Sequence, residues 1–173
     1  MDGPVTTETD IAAAAARVLD ACRARGLTVA TAESCTGGLV AGALTDIAGS
    51  SDVVDGGFVT YSNAAKERML GVPPATLLRF GAVSRETAEA MALGVLEHAP
   101  VDLAVAITGI AGPGGGSVEK PVGLVHFAAT LRGGGLLHRE RKFGDRGRRA
   151  VRLASVAEAL ALLQELASGS AVR

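Results

Sequence analysis

The spacing of apolar residues changes along the chain, and each change marks an element. Between residues 11 and 25, Ile11, Ala15, Val18, Leu19 and Cys22 recur at helical intervals, and Gly26 stands where a left-handed cap would end the helix. Residues 27–32 are apolar without helical gaps and read as a buried strand; a turn with two glycines follows, then a helix over 39–47. Residues 48–52 are turn-like. A second strand is expected over 53–61, interrupted at Gly56 and Gly57, a pattern that signals a bulge or a close backbone approach. Asn63 is placed to cap a helix over 64–70, which Gly71, Pro73 and Pro74 end because neither proline can extend the hydrogen-bond ladder. A short helical turn over 75–79 leads to Ser84, a cap for a helix running to His98.

The apolar run 101–108, bounded by Pro100 and Gly109, reads as a central strand buried on both faces. Behind it, the glycine-rich stretch 109–116 is a loop at a strand end. Residues 122–130 and 136–143 flank the glycines at 133–135 and read as a β-hairpin, and a helix over 148–167 follows. Helices interleaved with strands, plus one hairpin, predict the α/β class: a three-layer α/β/α domain with a mixed sheet. A length of 173 residues suits a single domain over 1–173, with 1–8 a flexible leader and 168–173 a flexible tail.

Composition narrows the function classes. Hydrophobic residues make up 48% of the chain and aromatics only 3%, so the core is built from Ala, Val, Leu and Ile, and the stacking platforms that single-stranded nucleic acid requires are missing. The formal net charge of −1 provides no general attraction for nucleic acid or anionic membranes, so neither partner is expected and any anion site must be local. Cys22 and Cys35 fit neither a disulfide framework nor a zinc spacing, and Asp46, Asp52 and Asp55 are not grouped with other ligands, so no metal site is expected. No apolar stretch approaches a membrane span and no signal-peptide pattern opens the chain, which points to the cytoplasm. A small α/β domain with so little aromatic core also suits a homo-oligomer, a dimer or larger.

In α/β sheets ligands sit beyond the carboxyl ends of the strands, and three loops here qualify: 33–38, 61–66 and 109–116. The run Thr31-Ala32-Glu33-Ser34-Cys35-Thr36-Gly37-Gly38 sets a serine and a cysteine where strand passes to helix. Exposed backbone N–H groups at such a junction can bind an anion or stabilise an oxyanion, though helix caps and tight turns use the same residue types. Ser34 is the leading nucleophile. Cys35 competes, because a thiol at a helix N-terminus is intrinsically stronger, but adjacent side chains on an extended strand end point opposite ways and only one faces a cleft. His98, His126 and His138 lie beside none of these loops, so a serine–histidine triad is poorly supported. Lys66 is the better base, since the first turn of a helix and partial burial both disfavour its charged form. Tyr61, the only tyrosine, could relay a proton or orient a substrate. Residue types alone nevertheless favour a structural reading of this pair, Tyr61 as a strand-end aromatic and Lys66 as a surface charge. The basic cluster Arg146, Arg148, Arg149 and Arg152 is ordinarily a solvated face, unless its turn folds one arginine over the site to bind phosphate.

Five motifs occur in order over nearly the whole chain: Ala32-Glu33-Ser34-Cys35-Thr36-Gly37-Gly38, Tyr61-Ser62-Asn63-Ala64-Ala65-Lys66, Gly81-Ala82-Val83-Ser84, Thr108-Gly109-Ile110-Ala111-Gly112-Pro113 and Glu119-Lys120-Pro121-Val122-Gly123. Together they resemble the C-terminal domain family of the competence/damage-inducible protein CinA, whose stand-alone members are nicotinamide-nucleotide amidohydrolases of the PncC type. The resemblance implies a metal-independent enzyme without cofactor that converts nicotinamide mononucleotide to nicotinic acid mononucleotide and ammonia in pyridine-nucleotide recycling. It further implies Ser34 as nucleophile, Lys66 as general base and Tyr61 assisting. Substrate contacts would come from Glu33, Thr36, Gly37, Gly38, Thr108, Gly109 and Gly112, with Arg146 or Arg148 on the 5′-phosphate. The phosphate-side turn departs from the usual Phe-x-Gly-Asp-Arg-x-x-Val-Arg, because Phe143 runs directly into Gly144 and extra residues precede Val151-Arg152. The other reading left by the resemblance is a non-catalytic nucleotide-binding or competence/damage-related interaction module.

Overall fold

A computed structural model describes residues 6–169. Most of the expected leader, and the expected tail beyond Gly169, lie outside those residues. The first helix, α1 (Glu8–Arg25), starts earlier than the apolar stripe suggested. Thr7 accepts from the Asp10 N–H while Asp10 reaches back to the Thr7 N–H, a reciprocal cap that draws polar residues into the helix. The chain continues through β1 (Val29–Glu33), α2 (Leu39–Thr45), a 3-10 turn at Ser50–Asp52, β2 (Val54–Val59), α3 (Asn63–Leu70), α4 (Pro74–Phe80), α5 (Arg85–His98), β3 (Leu103–Gly109), β4 (Leu124–Leu131), β5 (Leu136–Lys142) and α6 (Arg148–Ala167).

The sheet order is β2-β1-β3-β4-β5; β2, β1 and β3 are parallel, whereas β4 and β5 form the expected antiparallel hairpin. The interruption expected at Gly56 and Gly57 is a bulge: Val29 pairs with Val54 and Ala30 with Gly56, which leaves Asp55 as the extra residue. One cap moves by one position. Ser62, extended at φ −93° and ψ 160°, accepts from the Ala65 N–H, and Asn63 is already the first helical residue.

Side-chain alternation sorts the core into two layers. Val29, Leu103, Val105, Ile107, Val125 and Phe127 pack with α1, α2 and α6 on one face. The opposite face presents Ala30, Ala32, Ala104, Ala106 and Ala128 to Met91, Ala92 and Val95 of α5 and to Leu70 of α3. Small strand residues bring α5 close to the sheet. Gly94 in turn brings α3 close to α5, because a Cβ at that position would stand 2.1 Å from the Leu70 carbonyl oxygen. The helix that carries Lys66 is therefore seated by a glycine. Among the described residues no helix is long and apolar enough to cross a membrane.

Candidate active site

The three parallel strands end at one edge of the sheet, and the segments that leave them meet there. Ser34, Cys35, Tyr61, Lys66, Ala82, Val83, Thr108 and the glycine loop from Gly109 to Gly115 line a cleft of about 270 Å³, with Arg148 at its edge. At its floor, Lys66 Nζ lies 3.1 Å from Ser34 Oγ and donates to the Thr60 carbonyl at 2.8 Å. Lys66 is 1% exposed. Burial pushes its pKa below the ordinary lysine range, since the charged amine has lost water that one carbonyl does not replace. An ammonium has three donors and no acceptor, whereas a neutral amine has a lone pair. With one N–H held by Thr60, a neutral Lys66 can turn that lone pair toward the serine hydroxyl.

Cys35 is 5% exposed and its thiol packs in the α1–α2–α6 cluster. Burial pushes its pKa up to about 12, so it is a neutral thiol at physiological pH although it borders the cleft. Of the two adjacent candidates, only Ser34 lies within hydrogen-bond distance of the Lys66 amine.

The loop after β1 is a tight turn. Ser34 donates its N–H to Ile107, and Gly37, at φ +57°, returns its N–H to the Ser34 carbonyl at 3.0 Å. Glu33 faces away from the cleft: it is fully buried, and its carboxylate accepts from Val40 N–H at 2.9 Å, Ala41 N–H at 3.0 Å and Thr31 Oγ1 at 3.2 Å. It thus satisfies donors at the start of α2, where Gly38 offers no side-chain cap. Glu33, Thr36, Gly37 and Gly38 shape the turn and do not line the cleft.

Thr108, Gly109 and Gly112 do line it, and Thr108 Oγ1 donates to the Ala82 carbonyl at 2.7 Å. Tyr61 is 59% exposed at the rim, where its hydroxyl accepts from Arg148 Nη2 at 2.8 Å; Arg148 Nη1 donates to the Gly112 carbonyl at 2.9 Å. Arg148 therefore bridges two walls of the cleft. Arg146 lies outside it, with Arg148 and Arg149 in a neighbouring open depression of about 740 Å³. The larger cavity holds neither the serine nor the lysine, and Arg148 is shared by both. No histidine lines the cleft: His126 and His138 contact one another, Nδ1 to Nε2, at 3.0 Å.

Three contributors were not legible in the sequence as site residues. Thr60 acts through its main chain, Ala82 through a carbonyl presented from the α4–α5 connection, and Arg152 reaches from α6 to the Cys35 and Thr36 carbonyls at 3.1 and 3.0 Å. Main-chain acceptors have no sequence signature. Arg152 was visible only as one of four clustered arginines.

The model of the CinA C-terminal domain family matches residues 11–167. Nicotinamide-nucleotide amidohydrolase PncC of Escherichia coli K12 is 54% identical over 158 residues, which cover 91% of this chain and 94% of that protein. Among solved structures, the competence/damage inducible protein CihA from Agrobacterium tumefaciens superposes with a TM-score of 0.89 at 60% identity, covering 91% of this chain and 95% of its own. A CinA superfamily protein from Klebsiella pneumoniae 700603 gives 0.87 at 38% identity, with 92% and 98% covered.

Proposed function

The chain belongs to the CinA C-terminal domain family, and on that premise we propose that it is an amidohydrolase that deamidates nicotinamide mononucleotide by a serine–lysine mechanism. The observation that carries the mechanism is the buried Lys66 amine 3.1 Å from Ser34 Oγ, its pKa lowered by burial. In this reading neutral Lys66 takes the hydroxyl proton as Ser34 Oγ attacks the carboxamide carbon. The carbonyl oxygen becomes an oxyanion held by N–H groups of the turn after β1. Lys66 returns the proton to the departing nitrogen, ammonia leaves, and a nicotinoyl ester remains on Ser34. Water, deprotonated by the same amine, hydrolyses that ester and regenerates the serine.

The cleft volume accommodates a pyridine carboxamide, with ribose and phosphate extending past the rim toward Arg148 and the basic depression it shares with Arg146. Tyr61 at the rim orients the substrate. The test is ammonia release from nicotinamide mononucleotide by wild type, Ser34→Ala and Cys35→Ala, beside calorimetric binding of the nucleotide. Turnover by wild type and its loss in Ser34→Ala are expected. Retained turnover in Ser34→Ala with loss in Cys35→Ala would overturn the nucleophile, and wild-type binding without turnover would favour a nucleotide-binding module.

A further inference from the structure

Two arms of the Arg152 guanidinium end on consecutive carbonyls of the nucleophile turn, Nε on Cys35 O at 3.1 Å and Nη2 on Thr36 O at 3.0 Å. In a trans peptide the C=O and the following N–H point in opposite directions, so fixing a carbonyl fixes where its partner N–H is aimed. Holding the Cys35 carbonyl sets the Thr36 N–H on the side away from α6. Holding the Thr36 carbonyl sets the Gly37 N–H, which donates to the Ser34 carbonyl; that bond in turn sets the Cys35 N–H. Among the described residues neither the Cys35 nor the Thr36 N–H donates to another residue's backbone, while the Ser34 N–H is committed to Ile107. Two successive N–H groups beside the nucleophile are thus held in place through their carbonyls by one cation. The guanidinium also polarises the peptide it holds and strengthens the opposite N–H as a donor.

Resting on the amidohydrolase reading, we propose that Arg152 is a positioning residue of the oxyanion hole: it never touches the substrate, and by holding the Cys35 and Thr36 carbonyls it fixes the turn so that the Cys35 N–H, next to Ser34 on the cleft wall, is aimed at the oxygen that becomes negative during attack by Ser34. Arg148, four residues earlier on α6, reaches the cleft itself, so one helix face carries one arginine for the substrate side and one for the turn. Gly37 belongs to the same device, because a Cβ there would stand 3.3 Å from Arg152 Nη2 and its φ of +57° disfavours a side chain.

The experiment measures kcat and KM for nicotinamide mononucleotide with Arg152→Ala and Arg152→Lys, below the melting temperature of each variant, with circular dichroism to check folding. Losing aligned oxyanion donors lowers kcat by about 10- to 100-fold and moves KM by less than about threefold, since the donors act in the transition state. Arg152→Lys recovers only part of the loss, because one ammonium does not reproduce a planar fork on two carbonyls. Added methylguanidinium raises the turnover of Arg152→Ala but not that of Ser34→Ala. Unchanged kcat in a folded Arg152→Ala or Arg152→Lys overturns the proposal. So does a rise confined to KM for the nucleotide and absent for its riboside, which would make Arg152 a phosphate ligand. The parent reading fails separately, by activity in Ser34→Ala.

Discussion

Replacing Glu33 by glutamine tests whether that carboxylate organises the turn or binds substrate. Both carboxylate oxygens are used: one accepts from Val40 N–H at 2.9 Å, the other from Ala41 N–H at 3.0 Å and Thr31 Oγ1 at 3.2 Å. Glutamine keeps one acceptor oxygen and sets an NH2 group against the other backbone N–H. The Thr31 hydroxyl can rotate to accept from that NH2, but a backbone N–H cannot change role. One buried donor left without a partner costs about 1–3 kcal/mol, and loss of the charge on the remaining bond costs about 1 kcal/mol more. Relief of the buried charge offsets part of this, so the expected destabilisation is about 1–3 kcal/mol. For a domain of this length that lowers the melting temperature by roughly 2–12 °C. Urea melts monitored by circular dichroism give the free energy directly. Kinetics on the folded variant should show a reduced kcat, because Ser34 follows Glu33 in the chain, with little change in KM. Destabilisation below about 0.5 kcal/mol would refute the structural role, and a large rise in KM with unchanged stability would return Glu33 to the substrate contacts.

Lys66→Met should abolish turnover, and its stability should differ from wild type in a pH-dependent way. The folded-state pKa of Lys66 lies below 10.5, so between that lowered value and 10.5 the unfolded chain binds the extra proton; wild type gains stability relative to the variant as pH rises through this window, and parallel stability profiles would refute it. The same lowered pKa places the rising limb of kcat/KM below the ordinary lysine range, which a pH–rate profile checks against Arg148→Ala as a control of unchanged limb position. Gly94→Ala drives a methyl group into the Leu70 carbonyl, and moving the end of α3 should cost about 1–3 kcal/mol and also lower kcat; a variant that melts and turns over like wild type would show that α3 is not seated by this contact. Arg148→Ala should raise KM for the nucleotide by about 10- to 100-fold and change KM for the riboside much less, as expected for loss of a charge-assisted phosphate bond; equal effects on both substrates would place Arg148 on another part of the ligand.

Much of the frame was legible because it rests on local pattern. The α6 range, the hairpin and the three strand-end loops follow from apolar period and glycine placement, and the bulge in β2 follows from the Gly56-Gly57 pair. Boundaries moved where polar residues capped better than the apolar stripe suggested, at Thr7 before α1 and at Ser62 before α3. Residue chemistry alone also misjudged Lys66, whose surface-charge reading fails because α3 is pressed against α5 at Gly94 and the amine is buried. That contact joins residues far apart in the chain and leaves no periodic trace. Glu33 was drawn toward the substrate for a related reason: a carboxylate in a motif looks chemical, whereas its partners are main-chain N–H groups seven and eight residues onward.

Strand alternation explains why Ser34 rather than its neighbour Cys35 meets the Lys66 amine. Ala30 and Ala32 face the layer of α3 and α5, and Ser34 continues that parity to meet Lys66. Val29 faces the layer of α1, α2 and α6, Thr31 and Glu33 turn their side chains to the start of α2, and Cys35 completes the series with its thiol in that apolar cluster. On β3 the same rule places Thr108 with Ala104 and Ala106, so its hydroxyl reaches Ala82 on the cleft side. The Cys35 thiol packs in the apolar cluster, where burial pushes its pKa up to about 12, and the Ser34 hydroxyl is the group 3.1 Å from an amine whose pKa burial lowers. Parity also connects the arginine of α6 to the turn without access to the serine hydroxyl: Arg152 comes from the Cys35 layer and grips the carbonyls of the turn, while Lys66 comes from the Ser34 layer and reaches the hydroxyl. A one-residue deletion within β1 would exchange the two layers for the residues that follow, placing Cys35 opposite Lys66 and turning Ser34 out of its reach.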